Sequence, residues 1–192
     1  MRRYGLNIET ASLKEQRPLT AFAKRVKTQW IRIIIFVFIP YLFLIPGCEH
    51  TTFQSSVPTY PVRFSINTNM GEFVHFKPTS QNEYVTLTED GYSYNGKWVQ
   101  ARLVTDAYGY AGTVVFVSIN GYDAYDLACP YCAARGKKQA CEIDGIFAVC
   151  PHCGEQYDLG SGTAAPQKGI ANECLRRYAI IHSDGKLTIT QQ

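Results

Sequence analysis

The chain has 192 residues, 46% of them hydrophobic and 18% charged, with a formal net charge of +3. That balance excludes a disordered chain. Much of the positive charge lies in the first 32 residues, so the remainder carries no basic patch of the kind nucleic acid requires, and nucleic acid is excluded as a partner. Thirteen Tyr and ten Phe, with many Thr and Val, favour a β-rich core.

Residues 1–47 read as a targeting segment. Lys24, Arg25, Lys27 and Arg32 precede an apolar run whose stretch from Ile33 to Ile45 is 13 residues long. A membrane span needs roughly 20 residues, so the run matches the hydrophobic region of a signal peptide. It ends at Leu44-Ile45-Pro46-Gly47-Cys48, which resembles a bacterial lipobox: cleavage before Cys48 and lipidation of Cys48 are expected. A short uncleaved anchor is the alternative. The first 25 residues are long for the basic leader of a signal peptide, and a start at Val26 would shorten it to Met-Lys-Thr-Gln-Trp-Ile-Arg. Either way the functional domain is expected outside the cytoplasm, held to a membrane through its lipid anchor. There disulfides compete with metal for cysteines.

Residues 48–59 are rich in Thr, Ser and Pro and read as a tether; residues 60–192 form the domain. Val62, Phe64 and Ile66 alternate with polar neighbours, predicting a half-buried strand, and Glu83–Thr88 repeats the pattern. Asp90-Gly91 and Asn95-Gly96 predict turns on either side of Tyr92–Tyr94. Thr113–Ile119 is the strongest buried-strand signal, and Asn120-Gly121 turns it towards Tyr122–Leu127. Glu155–Leu159, Arg177–His182 and Lys186–Thr190 complete the set, with Asp184-Gly185 turning the last two. No long helical period follows residue 48 and no repeat is present. The expected fold is mainly β, a sandwich or small barrel with a metal-binding lobe at about residues 125–162.

Two cysteine pairs carry the chemistry: Cys129-Pro-Tyr-Cys132 and Cys150-Pro-His-Cys153, with 17 residues between them. Four thiolates presented this way can close a tetrahedron around one ion or grip an iron–sulfur cluster. In such knuckles tight turns aim backbone N–H groups at the sulfurs, and Gly154 permits the backbone angles required. Tyr131 and His152, inside the boxes, are candidates to touch the centre; packing for Tyr131 and a solvated turn for His152 are the plain alternatives. Cys141 and Cys174 are left to form a disulfide or to stand as two separate thiols. His50, His75 and His182 lie near no other ligand type and read as structural.

The stretch 122–191 resembles the Rieske iron–sulfur family. The residues that carry the likeness are Tyr125-Asp126-Leu127-Ala128-Cys129-Pro130, Asp144–Gly154, Gln156–Gly162, Leu175–Ile180 and Asp184–Ile189. The family pattern is a Cys-x-His box followed by a Cys-x-x-His box. Cys129 and Cys150 fall on its cysteine positions, whereas Tyr131 and Cys153 stand where its histidines would be. The resemblance implies a Rieske-like β-fold and an electron-transfer role with a redox protein partner. The altered boxes remove the histidines that raise the potential of that family's cluster. Cys129, Cys132, Cys150 and Cys153 are therefore expected to hold a [2Fe–2S] cluster, or zinc or mononuclear iron as a tetrathiolate. The rival reading is a non-redox binding or structural module held by zinc or disulfides at the same cysteines. No substrate-site motif is found, so the chain is read as a carrier or an oxidoreductase subunit rather than an enzyme in itself.

Overall fold

A computed structural model describes residues 55–192. The expectations for the signal peptide, the start at Val26, Cys48 and His50 lie outside the described residues.

The domain is built of antiparallel strands. β1 (Val62–Asn67), β2 (Tyr84–Leu87), β3 (Tyr92–Tyr94), β4 (Lys97–Gln100), β5 (Ala107–Tyr108), β6 (Thr113–Ser118), β7 (Gly121–Asp126), β12 (Arg177–Ser183) and β13 (Lys186–Thr190) form one sheet, in the order β4-β3-β2-β6-β7-β12-β13-β1-β5. β4 and β5 are thus the two ends of that order, yet only residues 101–106 separate them in sequence. So short a link brings the sheet's ends together, and ring contact between Phe64 on β1 and Tyr92 on β3, 5.9 Å between centroids, shows the closure. Inside lie Phe64, Ile66, Phe73, Phe76, Val85, Leu87, Tyr92, Val115, Val117 and Ile189. The mainly-β expectation holds, and the helices among the described residues are single short turns.

β8 (Glu142–Asp144), β9 (Phe147–Val149), β10 (Gln156–Asp158) and β11 (Ala165–Lys168) form a second sheet, in the order β11-β10-β9-β8. It packs on the outer face of β6 and β7 through a separate apolar cluster containing Val114, Phe116, Tyr125, Leu127, Tyr157, Leu159 and Leu175. All six residues of β6 are buried because Val115 and Val117 face the closed sheet while Val114 and Phe116 face the second one. A strand buried on both faces reads as a continuous apolar run rather than an alternation. This explains the strength of the β6 signal in the sequence.

Five strands, β4, β5, β8, β9 and β11, escaped sequence reading, three of them for identifiable reasons. β4 exposes Lys97, Trp98 and Gln100 at the edge of the order, so it has no buried alternation to detect. β11 contains Pro166, which a strand accepts only at an edge, where β11 lies. β5 is two residues long.

The last residues of the stretch read as a tether are packed on the domain. Ser56 donates through its N–H (2.9 Å) and Oγ (2.6 Å) to the Glu173 carboxylate, and Val57 is buried. The Arg176 guanidinium donates to Thr59 Oγ1 at 2.7 Å.

Candidate metal centre

Both cysteine pairs lie where the second sheet meets the end of β7. The first begins with a buried carboxylate. Asp126, the last residue of β7, is fully buried and accepts from Tyr178 Oη (2.6 Å), Tyr110 N (2.6 Å), Ala111 N (3.2 Å) and Ala128 N (2.8 Å). These bonds fix the backbone that delivers Cys129. The chain returns beside itself through Cys129 N to Gln139 O (2.9 Å) and Cys141 N to Leu127 O (2.7 Å). Between them runs the one-turn helix α1 (Pro130–Ala133), with Cys129 as its N-cap. Pro130 suits the first helical position, where a missing N–H costs nothing and φ is already set. Arg135 N and Lys137 N then both donate to Cys132 O at 3.0 Å, closing the knuckle.

The second pair is the turn between β9 and β10. Cys150 N donates to Glu155 O at 2.8 Å, and Gly154 N donates to Cys150 O at 2.9 Å. Gly154 has φ +75°, the left-handed conformation that a side chain disfavours, as the sequence suggested.

The two knuckles bring the four sulfurs together. Cys129, Cys132 and Cys150 are at most 2% exposed and Cys153 is half-buried. All four Sγ atoms lie within 4.8 Å of one another, with Cys129–Cys153 at 3.6 Å and Cys132–Cys150 at 3.7 Å. None is in a disulfide. Sulfurs at about 2.3 Å from one tetrahedral ion stand about 3.8 Å apart along each edge, so the donor set and its spacing fit a single tetrathiolate ion. A cluster of two bridged irons needs the sulfurs to part into two pairs.

Electrostatics single out Cys129. Its thiol is held low, at about 4, chiefly by hydrogen bonding from the Cys141 thiol, against the opposing effect of burial. Tyr157 Oη, 3.4 Å away, and the N–H of Cys132 add to the lowering. Burial pushes Cys132 up, and it pushes Cys153 up to about 11 despite a donating N–H from Glu155. The expected N–H groups aimed at sulfur are therefore present at Cys129 and Cys153. Cys132 and Cys153, both raised, shed protons when a cation enters beside the Cys129 thiolate.

The remaining candidates are distributed as follows. Tyr131 is half-buried against the lobe's apolar cluster, with the Arg135 guanidinium 3.5 Å over its ring. His152 is exposed, with Lys137 Nζ 3.0 Å from Nε2. Cys141 is buried against Cys129, whereas Cys174 is exposed, and both carry free thiols. Tyr157 escaped sequence reading as a site residue, although it lies only four positions after Cys153. Glu155 escaped it too. This carboxylate is 2% exposed and accepts from Ile170 N (2.7 Å) and Ala171 N (2.9 Å). Gly169, at φ +112°, makes room for it, since a Cβ there would meet Glu155 Oε2 at 2.2 Å. Glu155 thus ties the loop after β11 to the second knuckle. That a Glu directly follows the Cys-x-x-Cys-Gly turn is visible in the sequence, but its burial is not. A groove of about 880 Å³, lined by Thr59, Glu173, Cys174, Arg176 and Arg177 among others, has none of the four cysteines in its wall.

No family model and no curated protein matches the chain. Among solved structures it is similar to a ferredoxin of Sphingomonas yanoikuyae B1, at 18% identity over 49% of this chain and 84% of that one, with a TM-score of 0.34. It is also similar to a chain from a complex of reduced oxygenase and oxidized ferredoxin in carbazole 1,9a-dioxygenase, at 11% identity over 68% of this chain and 94% of that one, with a TM-score of 0.39. At likenesses this low, the chemistry of the site rests on its own residues.

Proposed function

We propose that the protein is a one-electron carrier in which Cys129, Cys132, Cys150 and Cys153 hold an iron–thiolate centre. The observation that carries this reading is the convergence of four free sulfurs, all within 4.8 Å, in an otherwise apolar lobe. Iron bound there supplies a one-electron couple. The chain's own groups do the rest. Leu127, Tyr157 and Leu175 keep water from the sulfurs. Tyr157 Oη and the N–H groups of Cys132 and Glu155 donate to thiolate charge. Cys153, the half-buried member, gives the centre its edge towards solvent and so towards a redox partner. The sulfur spacing favours a single iron; an all-cysteine [2Fe–2S] cluster would perform the same role with the sulfurs drawn apart. The resemblance of residues 122–191 to the Rieske family supports the carrier role. The basic residues and apolar run ending at Cys48 support a lipid-anchored protein working outside the cytoplasm.

A second reading has its own observation. Cys129, Cys132 and Cys150 are buried between short strands, which suits zinc as a structural staple. Anaerobic purification followed by metal analysis, a free-thiol count and an optical spectrum separates the two. One iron per chain, with thiolate-to-iron absorption that bleaches reversibly on one-electron reduction, is the expected result. Two irons with two sulfides per chain would keep the carrier and replace the single ion. Colourless protein with one zinc, or with no free thiols, would overturn the carrier reading.

A further inference from the structure

The cysteine end of the lobe is unevenly charged. Residues 128–141 contain no carboxylate, while the exposed turn that closes the first knuckle carries Arg135, Lys137 and Lys138. Lys168 is added at the same end of the second sheet, where it pairs with Gln156, which also pairs with Val149 beside Cys150. Two carboxylates lie at this end. Glu155 is buried and committed to Ile170 N and Ala171 N, and Glu142, on β8 opposite Val149, is the exposed one. Asp144 and Asp158 are at the far end of the sheet, both paired with Phe147. Among the described residues, the only ion pair is Arg177 with Asp123, so none of the four cations is neutralised.

Three of these cations are placed by contacts rather than left to wander, Lys138 with its ammonium 5.6 Å from the centre of the Tyr110 ring. Arg135 donates to Tyr131 O at 2.9 Å and covers that residue's ring. Lys137 sits against His152, the neighbour of Cys153, which is the only one of the four cysteines with appreciable exposure. Positive charge is therefore fixed around the one point where the centre reaches the surface. The knuckle exposes Ala134 and Gly136 between its cations and offers no large apolar side chain. A surface that binds lipid combines basic residues with Trp, Phe or Leu that insert into the bilayer. At this end Ile170 is exposed, two residues after Lys168; a single aliphatic side chain beside four cations suits a folded partner with complementary charge better than insertion into a bilayer.

We infer that the cysteine end of the lobe, centred on Arg135, Lys137 and Lys138, is a docking surface for an acidic protein that approaches over Cys153. The inference deepens the carrier reading by naming the charge of the partner, but its test is independent of the metal. Binding of a fluorescent polyglutamate peptide to the protein as isolated is followed by anisotropy at low and at physiological salt. The peptide is expected to bind at low salt and to weaken as salt rises. Lys137→Glu/Lys138→Glu is expected to weaken binding by about tenfold or more. Lys137→Gln/Lys138→Gln, which only removes charge, is expected to fall between the two. Lys97→Glu, on exposed β4, is the control and is expected to change little. The metal content of each variant reports whether the knuckle still folds. Absence of binding at low salt, or equal loss in Lys97→Glu and in the double variant, would overturn the inference. Sedimentation with phosphatidylglycerol vesicles tests the other anionic surface. Vesicle binding that depends on Lys137 and Lys138 and exceeds peptide binding would overturn it in favour of the membrane. Since metal analysis decides the carrier reading and peptide binding decides the docking surface, either can fail alone.

Discussion

The closed sheet and the cysteine lobe solve the problem of cohesion differently. The closed sheet has strands of up to seven residues around a core of Phe64, Phe73, Phe76 and Tyr92. The lobe's strands are three or four residues long, and its own cluster counts Cys129, Cys132, Cys141 and Cys150 among its core members. A unit that small has too little apolar surface to fold by burial alone, and such units usually rely on metal or disulfides. The difference teaches that three of the four proposed ligands, Cys129, Cys132 and Cys150, are also part of the lobe's core.

The largest expected effect would separate the two regions. Cys150→Ala should lower bound metal more than about tenfold, since ligand binding and folding are one event in small metal units. Hydrogen exchange should then rise across residues 128–170 and stay slow in β1, β12 and β13. Equal loosening of the closed sheet would break the comparison.

Two substitutions should do the reverse and damage both regions. Phe116→Ala opens a cavity between the sheets and should cost about 3–5 kcal/mol in denaturant unfolding. Asp126→Ala strips four donors of a shared acceptor and should cost on the order of 3 kcal/mol, with metal content reduced as the first knuckle loosens.

A pH titration should sharpen the picture of the lobe. Cys153 is raised to about 11, so at neutral pH it holds a proton that a metal must displace. Zinc or iron affinity should therefore rise with pH from 6 to 9; an affinity flat over that range would contradict the assignment. In metal-free protein Cys129 and Cys153 act in opposite directions, and the raised Cys132 and Cys141 act with Cys153. Cys129, lowered to about 4, contributes stability that is present above the unfolded thiol value and lost as pH falls through 4. Cys153 contributes stability that is present below the unfolded value and lost as pH rises towards 11. Thermal melts of the metal-free form should reflect both limbs.

The smallest effect should come from Tyr157→Phe, which removes one neutral donor from Cys129 Sγ. A loss of about 1 kcal/mol in stabilising the more negative reduced centre corresponds to some tens of mV. Voltammetry of the iron-loaded protein should show the potential move down, with metal content unchanged.

The sequence made the strands with buried alternation or continuous apolar character legible, because burial leaves a periodic trace. β1, β2, β6, β7, β12 and β13 all lie close to where that trace placed them. The four cysteines were legible because their spacing alone implies convergence. The groups that hold them in place were not. Asp126 and Glu155 act through backbone N–H groups, whose direction no side-chain pattern records. Cys141 touches Cys129 only because the chain returns through an isolated bridge between Ala128 and Ala140. The docking of Ser56 and Thr59 was hidden for a related reason: its partners, Glu173 and Arg176, lie 117 residues away.

β6 leaves one further consequence. In most sheets a slip of one residue exposes an apolar face to water, and that penalty enforces register. Here Val114 and Phe116 on one side and Val115 and Val117 on the other are all enclosed, so a slip would exchange one greasy environment for another. Polarity cannot police the alignment of this strand. That task falls to volume, since Phe116 has no equal on the opposite face, and to the far end of the strand. There Asn120-Gly121 reverses the chain and Ser118 Oγ donates to Asp123 Oδ2 at 2.5 Å. The hairpin tip thus works as a ratchet pawl for the interior, and an insertion there would misalign two cores at once.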